Sequence, residues 1–209
     1  IYTPPPVDNY DFNMTYIAMV ESRVFWIFNV NDFIYRYDAL QGRYERYEVN
    51  LNASVRDVAF APNGEMYLVT GTSGAGELTL KEFSPDSRRL VSVFLPNSDW
   101  ETYNGILIDR SERLWVGANG YRDINQNWQL LQPSPKEDGY ELLWAPATPV
   151  LASSDGRLWY NRFLDTSGWA EGTAWYDPVT NQGCWFTHFP ANIVEDNHHR
   201  LWLAANDVL

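Results

Sequence analysis

A short phrase that ends in an aromatic residue recurs five times along this chain, each time just after a polar turn. The residues that close the phrase are Trp26, Tyr67, Trp115, Trp159 and Trp202. They lie about 41 to 48 residues apart, and a period of that size, built from short strands and turns, is typical of β-propeller blades. The repeat therefore constrains the fold before any single residue is interpreted.

Each repeat can be read as four short strands, named A to D here in order along the chain. Strand A is apolar, a tight turn follows, and strand B carries the aromatic residue. Asn63-Gly64 and Asp155-Gly156 in these turns favour the positive φ angles that join antiparallel strands. No stretch of about eleven residues or more has the apolar spacing of an amphipathic helix. We therefore predict an all-β fold, a β-propeller built of four-stranded antiparallel blades.

The repeat length predicts about 4.5 blades in this chain. We expect a single propeller domain or propeller segment over 1–209, with repeats at 16–50, 54–96, 104–148 and 149–190, and with 191–209 plus 1–6 as a partial or shared blade. The chain would then be a five-bladed ring or a slice of a larger propeller. In the irregular third repeat, we predict strand C at 128–131 and a loop between strands B and C at 117–127.

Composition excludes several classes of partner. The chain has 209 residues and a net charge of −12, so its surface would repel the phosphates of nucleic acid or of an anionic membrane. No apolar run approaches the roughly 20 residues needed to cross a bilayer, so no membrane insertion by this segment is expected. Cys184 is the one cysteine, which excludes an internal disulfide.

Three phrases identify a family resemblance: ILIDRSERLWVG at 106–117, VLASSDGRLWY at 150–160 and NIVEDNHHRLWLA at 192–204. They resemble the two-component-regulator propeller repeat, in which a strand ending in Asp leads through a turn into Leu-Trp and a small residue. Streptogramin-lyase-type propellers share a similar repeat, so both families remain open. The resemblance implies an extracellular or periplasmic protein.

The recurring aromatic residues and the uneven loops predict different roles. We expect Trp26, Tyr67, Trp115, Trp159 and Trp202 to form the structural repeat core between blades, because large rings bury well between stacked sheets. The D-to-A and B-to-C loops share one face of a propeller and differ in length here. We predict ligand-binding residues among their aromatic and acidic side chains: Trp100, Tyr103, Tyr121, Trp144, Asp165 and Trp169. Aromatic rings beside carboxylates suit a sugar, whose apolar faces stack while its hydroxyls bind oxygen atoms.

The most favoured function is a non-catalytic, exported binding module for a glycan or a protein. One alternative is a structural bead of an extracellular filament or surface assembly, with self-association through open blade edges. The other is a streptogramin-type lyase, which needs a histidine and a carboxylate on the rim; His198 and His199 are expected in an A-to-B turn, on the opposite side. We predict no catalytic residue, metal or cofactor.

Overall fold

A computed structural model of the chain describes residues 14–21, 23–29, 33–51, 53–71, 78–96, 105–117, 120–123, 125–130, 136–137, 140–141, 147–163, 170–187 and 191–205. Every regular element in these ranges is a β-strand, and they contain no helix. The chain divides between Phe94 and Leu95 into two compact units, each of which has its own sheets.

The first unit contains two four-stranded antiparallel sheets, each a meander of consecutive strands. The first sheet consists of β1 (Met14–Glu21), β2 (Val24–Asn29), β3 (Phe33–Asp38) and β4 (Arg43–Glu48). The second consists of β5 (Ser54–Phe60), β6 (Met66–Gly71), β7 (Leu78–Ser84) and β8 (Arg89–Val93).

The second unit contains two further meanders of four strands and two hairpins. The third sheet consists of β9 (Ile106–Ile108), β10 (Leu114–Val116), β11 (Gly120–Arg122) and β12 (Trp128–Leu130), and a small hairpin of β13 (Lys136–Glu137) and β14 (Tyr140–Glu141) follows. The fourth sheet consists of β15 (Ala147–Ala152), β16 (Leu158–Phe163), β17 (Ala170–Asp177) and β18 (Gln182–Thr187). The final sheet is the hairpin of β19 (Ala191–Glu195) and β20 (Leu201–Ala205). The predicted four-stranded antiparallel sheets are therefore confirmed.

The third sheet corrects the strand assignment made from the sequence. The predicted strand C at 128–131 is the fourth strand, β12, and the third strand is β11, inside the segment expected to be a loop. A side chain at Gly120 would collide with the backbone carbonyl of Gln129, so only glycine allows this close strand pairing. A three-residue strand that begins with glycine gives no period-two signal, which explains the wrong prediction.

Five hairpin turns have one common shape: 61–65, 109–113, 123–127, 153–157 and 196–200. In each turn the N–H of the first residue donates to the carbonyl of the fifth, and the carbonyl of the first accepts from the N–H of the fourth. The fourth residue has a positive φ, and it is glycine in two turns but Glu112, Gln126 or His199 in the other three. These non-glycine residues take up a conformation that costs roughly 1–2 kcal/mol.

Four of these turns join strands A and B, and the turn 123–127 joins strands C and D. Because consecutive strands are antiparallel, the A-to-B and C-to-D turns lie at one end of each sheet, and the B-to-C and D-to-A connections leave from the other. Two C-to-D turns are fixed by an aspartate at the end of the third strand. Asp38 Oδ1 accepts from the backbone N–H groups of Leu40 and Gln41. Asp177 Oδ1 accepts in the same way at the turn that ends β17. The turn end is therefore built from short, hydrogen-bonded connections.

The core of the first unit lies between its two sheets. Trp26 stacks on Tyr47, with ring centroids 5.7 Å apart, and its ring also approaches Phe60 of the second sheet at 6.5 Å. Tyr47 in turn meets Phe83 edge-on at 5.4 Å. Met66 joins the same buried cluster.

The core of the second unit repeats this arrangement between its sheets. Trp115 packs with Leu158, Tyr160 and Tyr176 of the fourth sheet. Tyr160 is 1% exposed, and its hydroxyl has no hydrogen-bond partner in the described part of the chain. This burial raises the pKa of Tyr160 well above its ordinary value. Leu158 and Tyr160 therefore face the sheet before them, although Trp159 between them packs with Ile193 and Leu201 of the final hairpin.

Candidate functional site

The predicted ligand-binding residues fall mostly outside the described residues. Trp100 and Tyr103 belong to the connection between β8 and β9, and Trp144 to the connection before β15. Asp165 and Trp169 belong to the connection between β16 and β17. These five residues lie outside the described part of the chain, and both their place in a loop and their role in binding stay predictions.

Tyr121 is described, and it lies in strand β11 and not in a loop as expected. Its ring centroid is 4.7 Å from that of Trp115, and the Arg113 guanidinium lies 5.0 Å from the centre of the Tyr121 ring. Asp123, expected in the same loop, begins the C-to-D turn, where its Oδ1 accepts from the Asn127 N–H at 2.8 Å. The described contacts of Tyr121 therefore belong to the packing around Trp115.

That packing is organised by Asp109, the first residue of the turn between β9 and β10. Its Oδ2 accepts from Arg113 Nε at 2.6 Å and from Trp115 Nε1 at 2.8 Å. Its Oδ1 accepts from the backbone N–H groups of Ser111 and Arg113 at 2.9 and 3.0 Å. The Arg113 guanidinium also lies 5.3 Å from the Trp115 ring centre, within cation–π range. One carboxylate therefore fixes the turn, the arginine and the tryptophan together.

The final hairpin contains the same cluster with different residues. Asp196 Oδ2 accepts from Arg200 Nε at 2.7 Å and from Trp202 Nε1 at 2.9 Å. The Arg200 guanidinium lies 5.5 Å from the Trp202 ring centre. The hydrogen bond from Trp202, followed by those from Arg200 and the turn backbone, lowers the pKa of Asp196 to about 2 against the desolvation that would raise it. The carboxylate is therefore held ionised.

The fourth sheet replaces this aspartate with Ser153. Ser153 Oγ accepts from Trp159 Nε1 at 3.2 Å and donates to Asp155 Oδ1 at 2.5 Å. Desolvation raises the pKa of Asp155, but the bonds from Ser153 and Arg157 outweigh it and lower that pKa. Arg157 lies 4.4 Å above Trp175 instead of its own strand's tryptophan. The Ser153 hydroxyl and the Asp155 carboxylate together thus replace the single aspartate of the other two clusters.

Exposure distinguishes the five recurring aromatic residues. Trp26, Trp115 and Trp159 are buried, and Tyr67 is partly buried. Trp202 differs from the expected core position, because 57% of it is exposed. Trp26, Trp115 and Trp159 each pack against the following sheet of their own unit, whereas β20 has only β19 as a described strand partner.

A chain of polar contacts joins three successive turns of the second unit. Arg110 Nη1 donates to the Ser154 carbonyl at 2.9 Å, and the Ser154 N–H donates to Glu195 Oε2 at 2.7 Å. His199 Nδ1 lies 3.4 Å from Glu195 Oε1. The bond from Ser154, more than the neighbouring His199, lowers the pKa of Glu195. These contacts link the third sheet, the fourth sheet and the final hairpin at the end of the sheets that carries the A-to-B turns.

The described residues contain no group of three His, Cys, Asp or Glu side chains placed to hold a metal ion. His198 and His199 belong to the turn 196–200, at the end of their sheet that carries the A-to-B turns, as the sequence predicted. The carboxylates of Asp109 and Asp196 accept their hydrogen bonds from groups of their own hairpins. These two clusters were not predicted from the sequence, although Asp, Arg and Trp have the same spacing in both hairpins. In the described ranges there is also no helix long and apolar enough to cross a membrane.

Comparisons with known proteins identify the fold. The sequence matches no family profile, and no curated protein matches it either. Virginiamycin B lyase from Staphylococcus aureus is similar in structure with a TM-score of 0.62 at 18% identity, over 94% of this chain and 64% of the lyase. The extracellular domain of a putative hybrid two-component system from B. thetaiotaomicron is similar with a TM-score of 0.62 at 19% identity, over 97% of this chain and 26% of that protein.

These two structures match the two kinds of propeller that the repeat resembles, so the expected fold resemblance is confirmed. The chain is an all-β propeller structure built of four-stranded antiparallel blades. It spans less than two thirds of the lyase and about a quarter of the extracellular domain. At these identities the similarity concerns the fold.

Proposed function

We propose that this chain is an exported, non-catalytic recognition propeller that binds a glycan or a protein through its D-to-A and B-to-C connections. The observation that carries the proposal is the contrast between the two ends of the sheets. At one end, five hairpin turns share one hydrogen-bonded shape. At the other end, the connections vary from 30–32 to 72–77 between strands B and C, and from 188–190 to 131–146 between sheets, the last of which includes the small hairpin of β13 and β14.

Variable loops on a constant scaffold are where binding proteins place their recognition residues. The longer connections contain most of the candidate residues: Trp100, Tyr103, Trp144, Asp165 and Trp169. Indole and phenol rings can cover the apolar faces of a sugar, or anchor a protein surface as hot spots. With a net charge of −12, neutral and cationic ligands are favoured over phosphorylated ones.

An extracellular or periplasmic location is part of the proposal. One similar structure is the extracellular domain of a putative two-component system, and it supports this location by analogy of fold. The lyase in the comparison suggests turnover as an alternative, but the described histidines His198 and His199 lie at the turn end. Binding without chemistry therefore fits the described residues better.

The test is a glycan array and a pull-down from extracellular extracts with the wild-type chain and the variants Trp100→Ala, Trp144→Ala and Trp169→Ala. Each variant should weaken binding about tenfold or more if its ring contacts the ligand, since stacked aromatic residues are typical hot spots. The matched control is Tyr44→Ala, which removes an aromatic side chain that is 43% exposed on β4. Equal binding by all variants, or consumption of the ligand, would contradict the proposal.

A further inference from the structure

Three turns between strands C and D have four residues each: 39–42, 85–88 and 178–181. The last residue of each turn has a positive φ, which is 63° at Gly42, 55° at Arg88 and 54° at Asn181. Glycine and asparagine favour this left-handed conformation, whereas a long side chain is strained in it. The shape of the turn therefore does not explain why position 88 is an arginine.

The Arg88 side chain packs on the first sheet and is still open to solvent. Its guanidinium lies 5.6 Å from the centre of the Tyr47 ring, which is itself buried. Arg88 is exposed, and no carboxylate in the described part of the chain forms an ion pair with it. A guanidinium over a ring can still donate hydrogen bonds in its own plane, so Arg88 presents oriented donors to solvent.

Comparable arginines of the second unit have carboxylate partners. Arg113, Arg157 and Arg200 also lie over aromatic rings. Each has an aspartate partner, with nitrogen-to-oxygen distances of 2.6, 3.4 and 2.7 Å. Arg88 has no such partner among the described residues, although the net charge of the chain is −12. Its donors therefore fit an anionic ligand, and a carboxylate can accept two of them at once.

Two carboxylates near Arg88 restrict the kind of anion. Glu45 accepts from the Tyr47 hydroxyl at 2.8 Å, lies 3.8 Å from Arg36 Nη1, and has a side chain that is 57% exposed. Asp86 belongs to the same turn as Arg88 and is exposed too. These carboxylates would repel a ligand with several negative charges, but they can accept hydrogen bonds from hydroxyl groups. The surroundings of Arg88 therefore fit a single carboxylate with hydroxyl groups next to it.

We propose that Arg88 binds the carboxylate of a small hydroxycarboxylate, whose hydroxyl groups donate to Glu45 and Asp86. This site lies at the end of the sheets that carries the C-to-D turns, opposite the connections proposed to bind a glycan or a protein. Loss of binding at one of these places should leave binding at the other unchanged, so the two proposals can fail separately.

Nuclear magnetic resonance of the isotope-labelled chain, titrated with sodium gluconate at constant ionic strength, tests the proposal. The Arg88 Nε–H resonance should shift and saturate, because the carboxylate of gluconate accepts from this group. Sorbitol, which has hydroxyl groups but no carboxylate, should leave that resonance in place. Acetate, which has a carboxylate but no hydroxyl groups, should bind at least about threefold more weakly than gluconate.

Arg88→Gly and Arg88→Asn are the test variants, because both residues suit the left-handed φ of this turn. Each should raise the dissociation constant for gluconate about tenfold or more, as loss of a charged hydrogen-bond donor does. The matched control is Arg89→Gln: Leu90 packs on the core, so the exposed Arg89 lies on the opposite face of β8, and its loss should change binding less than about twofold. Circular dichroism establishes that each variant is folded. No saturable shift with gluconate, a shift with sorbitol, equal binding of acetate, or unchanged binding by the Arg88 variants would overturn the proposal.

Discussion

The hairpins that carry Trp115 and Trp202 hold the same cluster in two different environments. The aspartate-to-arginine distances are 2.6 and 2.7 Å, and the aspartate-to-indole distances are 2.8 and 2.9 Å. Yet Trp115 is completely buried, whereas Trp202 is 57% exposed. The geometry of the cluster is therefore built by its own hairpin, and the neighbouring sheet adds burial to a ring that is already in place.

This difference separates two contributions to stability that are usually mixed. Burial of a large ring depends on the following sheet, while the hydrogen bonds to the aspartate depend on the local turn. Matched substitutions in the two hairpins can therefore measure each contribution by itself.

Replacing the buried ring should have the largest effect. Trp115→Ala removes a side chain that packs against Leu158, Tyr160 and Tyr176, and should lower the free energy of unfolding by about 3–5 kcal/mol. Trp202→Ala should lower it by about 1 kcal/mol or less, since much of that ring is already in water. Urea denaturation at low protein concentration measures both values. Equal losses would mean that the ring contributes mainly through its own hairpin.

Replacing the carboxylate comes next. Asp109 is 8% exposed and accepts four hydrogen bonds, two of them from Arg113, so Asp109→Asn should destabilise the fold by about 3 kcal/mol. The same change at Asp196 should have a smaller effect, because water can solvate Arg200 there. Denaturation midpoints of the two asparagine variants give the comparison. A larger loss at Asp196 would contradict the role assigned to burial.

The common turn shape predicts opposite effects at its fourth residue. Gly156→Ala places a side chain at φ 89° and should cost about 1 kcal/mol, whereas Glu112→Gly relieves a non-glycine residue at φ 58° and should stabilise by up to about 1 kcal/mol. Thermal denaturation of both variants checks the signs. A destabilising Glu112→Gly would show that the Glu112 side chain contributes something beyond the turn.

The smallest expected effect is the loss of stability at acidic pH. The hydrogen bond from Trp202 helps to lower the pKa of Asp196 to about 2 from the ordinary 3.8. The folded chain therefore holds this carboxylate ionised where the unfolded chain would protonate it, so its stabilisation is complete above about pH 4 and is lost as the pH falls toward 2. The indole N–H resonance of Trp202 should titrate near pH 2. A midpoint near 4 would exclude a strong bond in solution.

The sequence predicted the sheets well because their signal is repeated. Strand B of each sheet carries an aromatic residue near its start, just after a polar turn, so one weak pattern is reinforced five times. The prediction was wrong at β11, a strand of three residues that is too short to show alternation. Its first residue is glycine because the backbone of the neighbouring strand comes close there, and not because glycine favours strands. Local sequence cannot report such a tertiary requirement.

The candidate site was less predictable. The order Asp, Arg, Trp at 109, 113 and 115 returns at 196, 200 and 202, so the two clusters could have been proposed from spacing. Ser153 in the fourth sheet could not, because its part depends on Asp155, two residues away, and on the turn that brings them together. The difference between Trp115 and Trp202 also had no signal, since exposure is decided by the following sheet.

In the second unit, the buried tryptophan of one sheet packs against the next sheet along the chain, and this order determines how the unit unfolds. Trp159 depends on Ile193 and Leu201, and Trp115 depends on Leu158 and Tyr160, so each layer leans on the one after it in the chain. Detaching the last hairpin would expose Trp159 and weaken the fourth sheet. Loss of the fourth sheet would then expose Trp115 of the third sheet. Because neighbouring sheets in a repeat array stabilise one another, we expect the two-stranded hairpin to protect the third and fourth sheets from local unfolding.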